Sequence, residues 1–442
     1  MNISKQTSLS CALTAALLLL TVGGFKSTPA QTSTERERAR TMLQTMKEDI
    51  KKYYYDPNFH DMDLEARFGA AEEKIKTATS LGQLFGIIAQ AMVDLNDSHT
   101  RFIPPPRTTS TEYGLQMEMI GDRCYIVTVK PGSDAEKKGL KEGDEIISVN
   151  GVGPNRNTLW KMLYFYYTLA PRSSLRVAAQ SPNSEPREID INARVKQGQQ
   201  TVDLGNYDEY IKSVRQAQSE SRLYAHRYYD KSEDVFIWKM PEFDLAENKG
   251  DEMMSKARNR KALILDLRGN PGGDEITLLR LISHFFDKDL TVGEIQRRKE
   301  KKPLISKKRS DKPFSGQLIV LVDSQSASSA EIFARVMQLE KRATVIGDQT
   351  AGAVMRSRLY SHQLGVDIVV PYGASITDAN LVMTDGKSLE GAGVTPDDLR
   401  LPTPEDLAAR RDPILAHAAS LVGLKLDPTK AGALFPVLWS KD

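Results

Sequence analysis

The spacing of apolar residues changes character twice along the chain, and each change marks a new kind of structure. From Thr34 to about Tyr55, Met42, Met46, Ile50 and Tyr53 follow a helical period, and Asp56-Pro57-Asn58 ends the run. Leu64, Phe68, Ala71 and Ile75 give a second helix. Leu81, Leu84, Phe85, Ile88, Met92 and Leu95 give a third, which starts near Ser80 and runs out in Asn96-Asp97-Ser98-His99-Thr100-Arg101. Pro104-Pro105-Pro106 then breaks regular structure. Residues 33–108 are expected to form a helical N-terminal domain.

From Tyr113 to about Arg194 the pattern shifts to short strands and turns. Arg123–Val129 reads as a strand, followed by a turn at Pro131–Ala135 and a short helix. Residues 197–230 are polar and weakly patterned, as a connector would be. Beyond them apolar runs alternate with helical spacing. Val235–Trp238 and Lys261–Asp266 read as buried strands, then Ile276, Leu279, Ile282 and Phe285 as a helix. Leu318–Asp323 reads as another buried strand, and Ile332, Phe333, Val336, Met337 and Leu339 as the helix after it. Strand–helix alternation predicts a layered α/β domain. The segment Asp385–Asp397 is rich in turns, and Arg411-Asp412-Pro413 opens what reads as the last helix.

The first thirty residues stand apart. Lys5 precedes an apolar run from Leu9 to Val22, and Thr28-Pro29-Ala30 supplies small residues for cleavage. This reads as a secretory signal peptide, with an uncleaved anchor as the alternative. Of the two cysteines, Cys11 lies in that segment, so Cys124 has no partner for a disulfide in the processed chain. At 442 residues, 40% hydrophobic and 27% charged, the sequence is that of a globular protein of several domains. A formal net charge of +2 implies no strongly charged partner. Eight basic residues between Arg297 and Arg309 are interrupted by Glu300, which favours an exposed hairpin over a nucleic-acid surface. No His or Cys pair has metal-ligand spacing, and no cofactor is expected.

The chemistry concentrates at strand–turn–helix junctions. After Leu318–Asp323, the turn Ser324-Gln325-Ser326-Ala327-Ser328 places a serine hydroxyl at a helix N-terminus, where unpaired N–H groups favour negative charge. An acyl-transfer enzyme needs a nucleophile beside such donors. Ser328-Ser329-Ala330-Glu331 is also a capping box, which many helices carry for stability alone. Upstream, Leu265-Asp266-Leu267-Arg268-Gly269-Asn270-Pro271-Gly272-Gly273 runs from a strand into a glycine turn that lets backbone approach a ligand. It matches no phosphate-binding pattern.

Gly139–Gly151, with its Gly143-Asp144 turn, apolar strand and Asn150-Gly151, closely resembles the PDZ signature. PDZ domains bind a peptide C-terminus by strand addition, and Tyr113, Gly114 and Leu115 stand where the carboxylate loop would be. The aromatic run Tyr164–Tyr167 falls in the second PDZ helix, as core. The glycine turn, the Ser328 junction, Glu390-Gly391-Ala392-Gly393-Val394-Thr395-Pro396-Asp397 and the embedded PDZ module together resemble the C-terminal processing (tail-specific) serine peptidases. That resemblance implies an α/β multidomain protein: a signal peptide (1–30), an N-terminal helical domain (33–108), a PDZ domain (109–196), a Clp-protease/crotonase-like ββα peptidase core (197–424) interrupted by the PDZ insertion, and a C-terminal tail (425–442).

The tail-specific branch uses a Ser–Lys dyad, and the lysine position here is Ala353. The tricorn-core branch uses histidine, and its motifs fit Ser98-His99, Ser328 and Glu390. By that resemblance Ser328 is the nucleophile and His99 the base. Ser98 and Glu390 orient the imidazole, and Ser329 N–H with one donor from Gly272-Gly273 forms the oxyanion hole. The expected function is an exported, periplasmic or secreted serine endopeptidase acting on polypeptides with free C-termini. The alternative is a catalytically silent binder of peptide tails or apolar ligands. Membrane association is expected only with an uncleaved signal, nucleic acid is not expected as a partner, and a homo-oligomer stays open.

Overall fold

A computed structural model describes residues 33–197, 227–245, 248–365, 369–437 and 439. The signal segment and most of the polar connector lie outside the described residues. Three helices, Ser33–Tyr53, Leu64–Thr77 and Leu81–Val93, open the chain. Asp63 and Ser80 cap the second and third by accepting from Ala66 and Gln83 N–H groups. The apolar stripes read from the sequence are the ones buried: Met42, Met46, Ile50, Phe68, Ile75, Leu84, Ile88 and Met92. Their core also takes in Phe102, Tyr372, Ala374 and Ile376. The helices therefore pack on one another and on the long strand Val370–Met383, which completes their core.

That sheet has five strands. Arg101–Ile103 pairs with Val370–Met383, then come Leu290–Gln296 and Lys301–Ser306, while Arg356–Leu364 pairs back on Val370–Met383. The basic stretch 297–309 is the turn and outer strand of this sheet's hairpin, with Glu300 paired to Lys302, as the sequence suggested. A second sheet of six strands runs in the order Asp398–Leu399, Thr344–Gly347, Gln317–Val322, Ala262–Asp266, Val235–Lys239, Arg227–Tyr229. Its pairings are parallel except for the last. Parallel strands buried on both faces read as continuous apolar runs, which is why Leu263–Leu265 and Leu318–Val322 are fully covered. Helices Lys249–Ala257, Glu275–Ser283 and Ser329–Leu339 cover one face, and Pro413–Leu421 the other.

Two elements depart from the sequence pattern. Ile276, expected on the buried face of its helix, is 76% exposed, and Leu278, Leu281 and Ile282 carry the packing. The helix after Pro413 is not the last: Pro428–Leu434 follows and buries Ala431 against the same core as Ile414 and Leu415. Much of the expected tail is thus part of the domain. Asp427 caps that helix by accepting from Lys430 N–H, a signal present in the sequence.

The PDZ unit is a five-stranded antiparallel sheet, Leu115–Ile120, Arg123–Val129, Glu145–Val149, Ser174–Gln180 and Arg187–Asn192 in that order. Its second helix, Leu159–Leu163, continues as a π-turn over Tyr164–Leu169. Tyr164 and Tyr166 are buried, as expected for core.

Candidate active site

Ser328 ends the turn that follows the strand Gln317–Val322 and caps the N-terminus of the helix Ser329–Leu339. Its backbone sits at φ 53° and ψ −119°, a region that residues with a side chain avoid. Holding it there costs about 1–3 kcal/mol, which the surrounding contacts must supply. Those contacts are specific. Ser328 N–H donates to Ala353 O at 2.9 Å and to Glu331 Oε2 at 3.0 Å. Gly272 lies directly against the turn: a Cβ there would sit 2.6 Å from the Ser328 Cβ. The glycine read from the sequence as a close-approach position serves that purpose.

Glu331 does more than cap a helix. It is completely buried, and its carboxylate also accepts from Thr350 Oγ1 at 2.5 Å, Gly352 N–H at 2.7 Å and Ala353 N–H at 2.9 Å. Burial raises its carboxyl to about 7, while those donors favour the charged form. The side chain stitches segment 350–353 to the Ser328 turn. Sequence reasoning gave it only the capping role, because S-x-x-E carries no hint of the three donors that arrive from 350–353.

His99 is positioned from another direction. Asn96 takes φ 56°, turning the chain after the third helix. Asp97 Oδ1 then accepts from His99 N–H at 2.8 Å, Thr100 N–H at 2.6 Å and Thr377 Oγ1 at 2.8 Å. This fixes the loop to the long strand Val370–Met383. His99 Nδ1 lies 2.6 Å from Ser98 Oγ, whose own hydroxyl donates to Glu390 Oε2 at 3.0 Å. With that proton committed to the carboxylate, Ser98 Oγ accepts from Nδ1–H. The neutral imidazole then carries its lone pair on Nε2. Burial and the positive charge of Arg101 lower His99 to about 4, with Asp97 opposing. Burial raises the Glu390 carboxyl above its ordinary range, against the pull of Val354 N–H, Ser98 N–H and the Ser98 hydroxyl.

One peptide group joins the two halves. The Ala353 carbonyl accepts from Ser328 N–H, and the N–H of the same peptide unit, on Val354, donates to Glu390 Oε2 at 2.9 Å. Glu390 Oε1 in turn takes Ser98 N–H at 2.7 Å. Across a planar peptide this places Ser328 N within roughly 8 Å of the Glu390 carboxylate. Ser328, Glu390, Ser98 and His99 therefore converge, although Ser98 and Glu390 are 292 residues apart. No hydrogen bond joins Ser328 Oγ to His99 in this state; such contacts commonly tighten only with substrate bound. Position 353 carries no amine, and its backbone serves as the bridge.

The resemblance implied one oxyanion donor from the glycine turn. Gly272 N–H is spent on Asn270 Oδ1 at 2.8 Å, so the expected donor from this turn is Gly273 and not Gly272. Gly273 N–H and Ser329 N–H have no acceptor among the described residues, and Ser329 Oγ donates to Gly273 O at 2.9 Å, holding the two together. Asn270 ties the turn to its surroundings through Met240 O and Ala327 N–H.

In the PDZ unit, Gly114 takes φ 75°, and a Cβ there would lie 2.3 Å from Ser133 Cβ. Leu115 starts the edge strand. Tyr113 does not line a peptide site with its ring. It is 1% exposed, and its hydroxyl donates to Arg172 O at 3.0 Å and accepts from Arg172 N–H at 2.9 Å. Among the described residues no His, Cys, Asp and Glu cluster could hold a metal ion, and no helix is long and apolar enough to cross a membrane.

The serine turn on a two-sheet core, with a PDZ unit inserted, has counterparts among known proteins. Residues 235–399 match peptidase family S41, and residues 105–157 match the PDZ domain. The chloroplastic carboxyl-terminal-processing peptidase 1 of Arabidopsis thaliana is 24% identical over 349 residues, covering 73% of this chain and 64% of that protein. Carboxy-terminal processing protease CtpA of Bacillus subtilis is 24% identical over 293 residues, covering 64% of this chain and 54% of that protein. The chain thus spans between 54% and 64% of the length of these relatives. Among solved structures, mature CPAF complexed with lactacystin superposes with a TM-score of 0.60 at 16% identity, covering 85% of this chain and 96% of that one. At that identity the likeness is one of fold. Over residues 235–399 the chain is thus similar to the S41 peptidases, and the two relatives named are C-terminal processing proteases.

Proposed function

We propose that this chain is an exported serine endopeptidase that captures the free C-terminus of a polypeptide on its PDZ domain and cleaves with a Ser–His–Ser–Glu site. The observation that carries this reading is the Ala353–Val354 peptide group, which binds the Ser328 turn on one side and the Glu390–Ser98–His99 chain on the other. Ser328 Oγ attacks the scissile carbonyl carbon as His99 Nε2 takes its proton. The oxyanion rests on Ser329 and Gly273 N–H groups. His99 returns the proton to the leaving amine as the C–N bond breaks, and water then releases the acyl group by the same route. Ser98 and Glu390 neutralise and orient the imidazolium. Nothing in this scheme needs a lysine.

The apolar N-terminal run supports export to the periplasm or outside. Among the described residues strand Leu115–Ile120 pairs on one side alone, which supports tail capture by strand addition. A fluorophosphonate probe tests the chemistry: Ser328 is labelled and Ser328→Ala is not. A wild-type enzyme that resists the probe would favour a silent binding protein on the same fold. Amidating a substrate's C-terminus tests tail capture, since the loop at Gly114 loses its charged partner and cleavage slows.

A further inference from the structure

The edge strand of the PDZ unit points at the nucleophile turn and is pinned there. Ser324 Oγ donates to Met119 O at 2.6 Å, and Ser324 is four residues before Ser328. The hairpin turn just after Met119 is fastened to the peptidase core. Gly121 N–H donates to Asp348 Oδ2 at 2.8 Å, and Arg156 makes two contacts of 2.7 Å with the same carboxylate. Arg156 further bridges Gly121 O and Gln349 O. Asp348 and Gln349 directly precede the segment 350–353 that Glu331 holds at the nucleophile. One end of the strand is thus a Gly114 loop suited to a carboxylate, and the other abuts the catalytic turn.

From this geometry we infer that the PDZ unit is a ruler, setting the distance between the substrate's free C-terminus and the bond that is cut. The inference rests on the reading of the PDZ domain as the tail-binding unit. A tail whose carboxylate sits at Gly114 and which runs toward Ile120 lies antiparallel to the strand. It can pair along Leu115–Glu118, but at Met119 the carbonyl is taken by Ser324, so the tail leaves the edge there. Ser324 and Ser328 are at most about 14 Å apart by chain reach, which four to five extended residues span. The tight turn at Asp323–Ser326, closed by Ser326 N–H to Asp323 O at 3.0 Å, shortens the path. The first cut therefore falls roughly four to nine residues from the carboxylate. The residues that set this distance, Arg156, Asp348 and Ser324, take no part in the chemistry. They position the PDZ strand against the site.

The test uses the full chain and unstructured peptides of uniform repeating sequence, so that local preference selects no bond. Mass spectrometry of the earliest products gives the length of the C-terminal fragment. Fragments should cluster in the stated window, and each residue added at the C-terminus should move the cut by one residue. In Arg156→Ala and in the milder Ser324→Ala, the distribution of fragment lengths should broaden; this is read within each variant's own products and so is independent of its rate. If amidation slows cleavage but first cuts scatter along the peptide, tail capture stands and the ruler is overturned. If amidation has no effect, tail capture itself fails and the ruler with it. An undisturbed window in both variants overturns the assignment of the ruler to these contacts.

Discussion

The protonation of His99 is the most decisive quantity in the site. A solvent-exposed histidine would titrate in the ordinary range of 6 to 7, and a base of that kind would give an activity limb there. The structure moves that limb down. The imidazole is desolvated, Arg101 adds positive charge, and the opposing Asp97 does not offset them, so the group sits at about 4. At pH 5.5 an imidazole of pKa 6.5 is only about 9% neutral, whereas one of pKa 4 is about 97% neutral, a tenfold difference in available base. The assay is an NMR titration of the imidazole Cε1–H signal, assigned by its loss in His99→Ala, beside the pH dependence of kcat/KM. Arg101→Gln should raise the titration point, since it removes a cation that disfavours protonation. The sign for stability follows the same logic. The unfolded chain takes up a proton near 6.5 that the native imidazole refuses until about 4, so this group's contribution is present above 6.5 and lost as pH falls toward 4. A native His99 signal titrating between 6 and 7, unmoved by Arg101→Gln, would refute the reasoning. Glu331, raised to about 7, can add its own step to the activity profile, and the NMR signal separates the two.

Three other outcomes are expected. Ser328→Ala should abolish hydrolysis and shift the urea midpoint little, while Ser324→Ala and Ser326→Ala remain active; activity in Ser328→Ala would identify another nucleophile. Glu390→Gln must turn an NH2 toward at least one backbone donor, Ser98 or Val354, at about 1–3 kcal/mol. Its kcat/KM should therefore fall less than that of His99→Ala but more than that of Ser98→Ala, with Lys387→Ala unaffected. Arg268→Met should lower stability by about 3–5 kcal/mol in urea titration, because Asp266 and Asp412 both lose a paired guanidinium in a buried network.

Local order was legible because it is written in local pattern. The periods of 3.6 and 2 located the helices of residues 33–95 and the buried strands, and Ser80 and Ser328 announced helix starts. The Gly143-Asp144 turn and the glycine turn at 272–273 were legible because few residues other than glycine accept those conformations. Short motifs around Ser328, His99, Ser98 and Glu390 were enough to mark them as candidates.

What the chain alone left undetermined was every relation set by distant partners. The sequence read the N-terminal helices as a domain, but their apolar face is closed by Tyr372, Ala374 and Ile376, and no periodicity records which surface will cover a stripe. Tyr113 looked like a loop residue until burial and two contacts with Arg172 made it core. Glu331 looked like a cap until donors from residues 350–353 surrounded it. The low His99 titration point depends on burial and on Arg101, neither of which is a property of the tripeptide around it. Sequence determined which groups could do the chemistry, through their types and local turns. Tertiary structure decided their charge states and their meeting, because desolvation and hydrogen bonds act between residues that only folding brings within a few ångströms of one another.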